Sequence, residues 1–267
     1  MSLDTIKIGK LDVSRMIIGG NPFSGFSHQN PDRDRAMLDY YTVARIKETL
    51  HQAEQLGINT CLGRADRHMA RTMREYWNEG GTIRWVAQTA SELISLARSI
   101  DEAIKGGAHA ICIHGGKMDN LLAQQQLDQV APAIEMIHKA GLPAGIAGHV
   151  PQVHEWAEAN VDADFYLCSY YNPTSRAANA EHKAGMQERF DDEDRERMVK
   201  TIARLSKPAI HYKVLAAGRK TPQEAFAFVA QHLRPQDAVC VGFFTQDNPN
   251  MIAEDLALLQ ESLRQDK

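Results

Sequence analysis

The 267-residue sequence has no apolar run approaching the roughly 20 residues that cross a bilayer. Its opening stretch, MSLDTIKIGKLDVSR, lacks the apolar core of a secretory signal. Cysteine is sparse: Cys61, Cys112, Cys168 and Cys240 stand alone, without a CxxC pair or the spacing of a secreted domain. Buried free thiols in a reducing compartment are therefore expected, not a disulfide framework. Neither sign of charge dominates, since 30 basic and 34 acidic residues leave a formal charge of −4. With no basic stripe and no polybasic patch, nucleic acid and anionic membrane are excluded as expected partners. Also missing are a GxGxxG after the first strand and any HExxH metal signature. What remains is a cytoplasmic enzyme with a small-molecule substrate, for which assembly into a homo-oligomer is left open.

What is present is a rhythm. Short apolar runs recur at RMIIGG (15–20), GINTCL (57–62), IRWVAQT (83–89), HAICIH (109–114), PAGIAGH (143–149), ADFYLCSYY (163–171), PAIHYKVL (208–215) and DAVCVGFF (237–244). Several are rich in β-branched or aromatic residues, as strands covered on both faces should be. Between them lie amphipathic stretches at 42–56, 91–105, 127–140, 192–206, 221–233 and 247–263. Val43, Ile46, Leu50, Ala53 and Leu56 share one helical face ahead of Gly57, while Ser91, Thr221–Pro222 and Asp247 read as helix starts. Eight strands alternating with eight helix slots predict an α/β fold, the (β/α)8 TIM barrel, as a single domain over residues 1–267. A chain of this length buries about three quarters of its unfolded surface and needs no metal or disulfide to fold. Residues 172–190, after the sixth strand, are too long for a tight turn and read either as a lid over the barrel mouth or as a disordered insertion.

Active sites of this fold lie where the strands end, because the loops there converge on one pocket. Strand ends thus supply the candidates: Asn21; Arg64, Asp66 and His68; His114; His149; Tyr171 and Asn172; Tyr212 and Lys213. His114 and His149 could exchange protons or polarise a carbonyl, as imidazole titrates near neutrality. Period-two alternation separates His211 from Tyr212, and His211 is expected to face the helices. A lysine in the apolar run AIHYKVL suits either a desolvated amine, acting as nucleophile or base, or an anchor for a phosphate or carboxylate. The cluster GRADRH (63–68) reads as an Asp66 that orients a histidine or ligates a metal, or as a solvated salt-bridged loop. Asp66, His68, His114 and His149 could together supply ligands to a divalent metal, though across separate strands and without a signature spacing.

Several segments in order resemble the aldo-keto reductases. KLDVSRMIIGGNPF is similar to that family's opening strand, and GINTCLGRADR stands where the family has G-I-N-x-x-D-T-A. ICIH resembles the strand ending in the family's catalytic histidine, which implies that role for His114. GLPAGIAGH, SYYNP, HYKVLAAGR and GFFTQDNPNMIAEDLALL are similar to its later strands and last helix. The resemblance implies a TIM barrel, reduction of a carbonyl with NADPH, and Tyr212 as the residue that stacks on the nicotinamide. It also identifies departures. Leu62 and Arg67 (or the adjacent Asp66) occupy the tetrad's Asp and Tyr positions, and Gln88–Thr89 stands for its T-K, leaving His114 alone of the four.

Three readings follow. One is a reductase-like barrel acting on a small polar carbonyl compound such as a sugar, with Asp66 and Arg64 or Arg67 replacing the lost acid. A second is a redox-free lyase, aldolase or epimerase, with His114 and His149 as acid and base, Lys213 as Schiff-base or anion partner, and a metal as an added component. The third is a binding barrel without catalysis, which the concentration of ionisable groups at the mouth disfavours. Catalytic roles are thus expected of His114, Asp66, His149 and Lys213, and substrate contacts of Asn21, Arg64, His68, Tyr171 and Asn172.

Overall fold

The computed structural model describes residues 3–90, 95–180 and 188–265. A two-stranded antiparallel hairpin comes first, β1 (Thr5–Ile8) and β2 (Leu11–Ser14), joined by a turn in which Gly9 takes a φ of 53°. The chain then alternates through β3 (Met16–Gly19), α1 (Pro31–Tyr40), α2 (Val43–Gln55), β4 (Thr60–Arg64), α3 (Arg67–Asn78), β5 (Arg84–Gln88), α4 (Leu96–Gly106) and β6 (Ala110–Ile113). It continues with α5 (Gly115–Ala123), α6 (Val130–Lys139), β7 (Ala144–Gly148), α7 (Pro151–Asn160), β8 (Phe165–Ser169), α8 (Asp192–Ile202), β9 (Ala209–Tyr212), α9 (Pro222–His232), β10 (Ala238–Gly242) and α10 (Met251–Gln265). Strands β3 to β10 pair in parallel and close, β10 returning to β3, as the eightfold alternation predicts.

Each barrel strand sorts its side chains by parity. Met16, Ile18, Cys61, Trp85, Ile111, Ile146, Tyr166 and Val239 pack outward under the helices. Ile17, Leu62, Val86, Cys112, Ala147, Leu167, Ile210 and Cys240 fill the interior, together with Ile6, Ile8 and Val13 of the hairpin. The hairpin therefore closes the N-terminal end of the barrel, an element the eightfold rhythm does not contain.

Helix starts follow local chemistry. Thr42, Asp66, Ser95 and Thr221 each accept a bond from the backbone N–H three residues on, and Pro31, Pro151 and Pro222 open helices where no donor is lost. Among the described residues α4 begins at Leu96 behind Ser95; the cap expected at Ser91 lies outside them. Asp247 does not start a helix. It pairs with Arg33 instead, and α10 begins at Met251. Residues 170–180 and 188–191 form no helix or strand between β8 and α8.

Candidate active site

Carrying the interior parity two residues beyond the core layer gives the ring of positions at the C-terminal rim: Gly19, Arg64, Gln88, His114, His149, Ser169, Tyr212 and Gly242. All but Ser169 line a cavity of about 500 Å3 that also touches Asn21, His28, Arg176 and Lys213. Gly242 and Gly19, on the adjoining strands β10 and β3, add no side chain of their own to the ring, while Arg64, His114, His149 and Tyr212 add polar or ionisable ones.

The tightest arrangement there is a chain of three. Asp119, on the second turn of α5, accepts from His149 Nδ1 at 2.6 Å and from its backbone N–H at 3.0 Å. A carboxylate only accepts, so Nδ1 carries the hydrogen and the neutral ring's Nε2 is left to accept from the Tyr212 hydroxyl at 3.2 Å. Asp119 and His149 are both under one-tenth exposed. Burial pushes the His149 imidazole below its ordinary value although Asp119 pulls the other way, and burial together with Asp119 holds the Tyr212 phenol well above its own. Gly115 makes room for the chain: a Cβ there would stand 3.0 Å from His149 Cε1 and 3.1 Å from the Tyr212 hydroxyl.

His114 caps α5 by position only, with no bond from its side chain to the helix. Its backbone N–H is held by Thr89 Oγ1 at 2.9 Å, its ring lines the cavity, and Nδ1 is buried without a partner among the described residues. Desolvation drives its pKa well below the ordinary value, reinforced by His149, Arg64, Arg176 and Lys213. A neutral imidazole that lines the cavity can offer a hydrogen bond to a ligand atom there.

A second cluster adjoins. Lys213 Nζ lies 2.8 Å from His28 Nε2, which also faces Asn21 Nδ2 at 3.4 Å, and His28 Nδ1 meets both oxygens of Glu188 at 2.9 Å. Arg64 pairs with Asp66 at 3.2 Å and lies over the Phe26 ring. Arg176, only 6% exposed, reaches the cavity from the long segment after β8. That segment is fastened to α5: Asn120 donates to the Arg176 and Ala177 carbonyls and Gln124 to Ala177.

The structure thus gathers His114, His149, Tyr212, Lys213, Asn21 and Arg64 at one cavity, and places His211 behind the wall between Tyr170 and Asp237, as strand parity predicts. Other expected residues stand elsewhere. Asp66 is the N-cap of α3, accepting from Met69 N–H, and holds Arg64 without lining the cavity. His68 is exposed on the first turn of α3, because the cap at Asp66 turns the chain away from the mouth. Tyr171 packs against Phe190, and Asn172 bonds Asp194 through its backbone; neither lines the cavity. Asp119, His28, Glu188 and Arg176 were not anticipated. Only Asp119 left a trace in the sequence, as an acid on the apolar helix GGKMDNLLA.

The groups expected to meet a metal or a nicotinamide nucleotide are arranged differently from the sequence-based expectation. Among the described residues no three His, Cys, Asp or Glu side chains converge as a metal site. The loop after β10, FFTQDNPN, has no lysine or arginine for a 2′-phosphate, and the Asp247 carboxylate that borders the cavity there is paired with Arg33. Tyr212, the expected stacking residue, is tied by its hydroxyl to His149.

Among solved structures, a Pseudomonas aeruginosa protein ascribed to the aldo-keto reductases is similar at 19% identity and a TM-score of 0.66, covering 98% of each chain. The holo form of an aldo-keto reductase from Bacillus halodurans is similar at 11% identity and a TM-score of 0.60, over 97% of this chain and 96% of its own. N-acetylmannosamine-6-phosphate 2-epimerase from Clostridium perfringens is similar at 13% identity and a TM-score of 0.53, over 90% and 92%. No protein-family profile and no curated protein sequence matches the chain. At these identities the likeness to the aldo-keto reductases is one of fold.

Proposed function

We propose that this chain, an aldo-keto-reductase-like barrel, is an enzyme that moves protons on a small polar carbonyl compound of sugar-like character bound at the barrel mouth. The observation that carries this reading is the Asp119–His149–Tyr212 chain, which ends in the same cavity as His114. A phenol whose pKa is held high stays protonated and can give its proton only to a strongly basic oxyanion, and an imidazole backed by a carboxylate recovers the proton at modest cost. Tyr212 can give its proton to a developing oxyanion, or take one from the substrate and pass it to His149, while Asp119 stabilises the imidazolium. His114, whose neutral ring lines the cavity, polarises the carbonyl. Arg64, Gln88 and Asn21 offer donors to hydroxyl or oxyanion groups of the substrate.

This reading needs no hydride. The loop after β10 carries no cation for the 2′-phosphate that the family resemblance implies, although Arg33, Arg64, Arg176 and Lys213 line the same cavity, and the 2-epimerase fold neighbour shows by its name that a similar barrel serves non-redox chemistry. Four buried free thiols support a reducing, cytoplasmic setting, and no helix among the described residues is long and apolar enough to cross a membrane.

The test is exchange of α-hydrogens. The protein is incubated in deuterated buffer with dihydroxyacetone, dihydroxyacetone phosphate, glyceraldehyde or pyruvate, and loss of the α-proton signal is followed by NMR. Catalysed exchange with at least one probe is expected, falling roughly 10²- to 10⁴-fold in Tyr212→Phe. No exchange with any probe, or equal exchange in Tyr212→Phe, would overturn the reading. Carbonyl-dependent oxidation of NADPH in the same mixtures would assign hydride transfer instead.

A further inference from the structure

Strand parity sends alternate residues to opposite sides of the barrel wall, so Lys213, directly after inward-facing Tyr212, should lie under the helices. It does not, because Lys213 takes a left-handed φ of 59° that turns its side chain back to the cavity beside Tyr212. Its hydrogen-bond partner, His28, also takes a left-handed φ, of 57°. Two non-glycine residues 185 positions apart thus both adopt backbone conformations that L-residues avoid, and they meet at 2.8 Å. Such backbone persists where the surroundings over-determine it, and it concentrates at functional sites. Glu188 fixes the far nitrogen of the His28 ring, which leaves Nε2 as an acceptor aimed at the lysine.

We propose that Lys213 is the nucleophilic amine of this site and joins the substrate's carbonyl carbon as an imine, with His28 as its proton acceptor and Glu188 as the positioning residue that orients His28. The inference rests on the carbonyl reading above and adds a covalent step to it. Lys213 passes its surplus proton to His28 Nε2, and the freed lone pair forms a C–N bond to the carbonyl carbon. The C=O π pair moves to oxygen, which takes the Tyr212 proton, and the new ammonium returns one proton to Tyr212. The His28 imidazolium then protonates the hydroxyl, the C–O bond breaks, water leaves and the nitrogen lone pair closes C=N⁺. Overall, a carbonyl and an ammonium become a protonated imine and water.

An anchor for an anion would fit less well. Burial, with Arg176 and Arg219 nearby, brings the Lys213 pKa down to about 7 against the pull of Glu188, so the free amine is populated near neutrality. Its partner is an imidazole and not a carboxylate. An anion anchor needs a lysine that stays protonated, whereas this one has a neutral acceptor for its proton at 2.8 Å.

The test is reductive trapping on the intact protein at pH 7. Dihydroxyacetone phosphate, glyceraldehyde and pyruvate are each added with cyanoborohydride, and the modified lysine is located by peptide mass mapping. At least one probe is expected to label Lys213 ten-fold or more above exposed lysines such as Lys139, with trapping lost in Lys213→Met and weakened in His28→Asn. Labelling confined to exposed lysines would overturn the imine. If Tyr212-dependent α-exchange then persisted in the wild type and in Lys213→Met, the carbonyl reading would stand alone; if exchange were absent as well, both would fall. Because the labelled position is read in the wild type, the imine stays testable even where a Lys213 variant fails to fold.

Discussion

Asp119 reaches the mouth from a helix, not a strand, and its carboxylate is what makes His149 a usable base. Burial alone would leave that imidazole a poor proton acceptor, and Asp119 opposes burial through charge and hydrogen bond. Asp119→Asn keeps the shape and removes the charge, so the His149 pKa falls further. The limb of the pH–rate profile that requires neutral His149 then moves to lower pH, and kcat for α-exchange drops by roughly 10²-fold or more with little change in KM. A pH profile of exchange in wild type and variant reads both effects; an unmoved limb would remove Asp119 from the relay. At this scale the sequence was legible where strand parity speaks. His114, His149 and Tyr212 stand at inward positions at or just past a strand's end, and the fold fixes their destination. Lys213 reaches the same cavity only through a backbone kink, and His28, Glu188 and Arg176 arrive on loops whose paths no periodicity encodes. Asp66 misled for a local reason: an acid just before a helix serves as its cap, and the cap won.

Among elements, α5 joins chemistry to closure. It begins directly after β6 with two glycines, carries Asp119 on its second turn, and fastens the long segment after β8 through Asn120 and Gln124. Gly116 permits the close approach, since a Cβ there would sit 2.4 Å from the Ala180 carbonyl oxygen. In a helix alanine is worth about 1 kcal/mol over glycine, but Gly116→Ala must push the segment off α5. We expect limited proteolysis within 172–190 to quicken several-fold in this variant while the thermal midpoint moves little; an unchanged cleavage rate would show the contact to be unimportant. The eight barrel strands were readable because each lies in a short apolar run, several of them β-branched or aromatic, set off by turn and helix-capping signals. The N-terminal hairpin was not, since TIKI and LDVS mix apolar with polar residues and form no continuous apolar run.

For the whole molecule, buried histidines set the response to acid. His154 on α7 is fully buried, edge-on to Tyr166 at 5.7 Å, and burial lowers its pKa to about 4. Above pH 6.5 it is neutral folded or unfolded and costs nothing. Below 6.5 the unfolded chain gains a proton that the folded one refuses until about pH 4, so stability is lost as pH falls through that window. By pH 5 the loss from this group alone is about 2 kcal/mol, with His114 and His149 acting in the same direction. Asp255, raised by burial to about 6, opposes them: folding favours its protonated form, so it gains stability as pH falls through 6. His154→Leu should therefore lose about 2 kcal/mol less than wild type between pH 7 and pH 5 in urea melts. Equal losses would mean that the ring is protonated in place.

The hairpin plug has one more consequence. With Ile6, Ile8 and Val13 filling the far end, the barrel is a vessel with a floor. Whatever enters through the rim must leave by the same door, so a departing product and an arriving substrate compete for one passage. Inhibition by product should accordingly be competitive with substrate, and turnover should be no faster than the doorway clears.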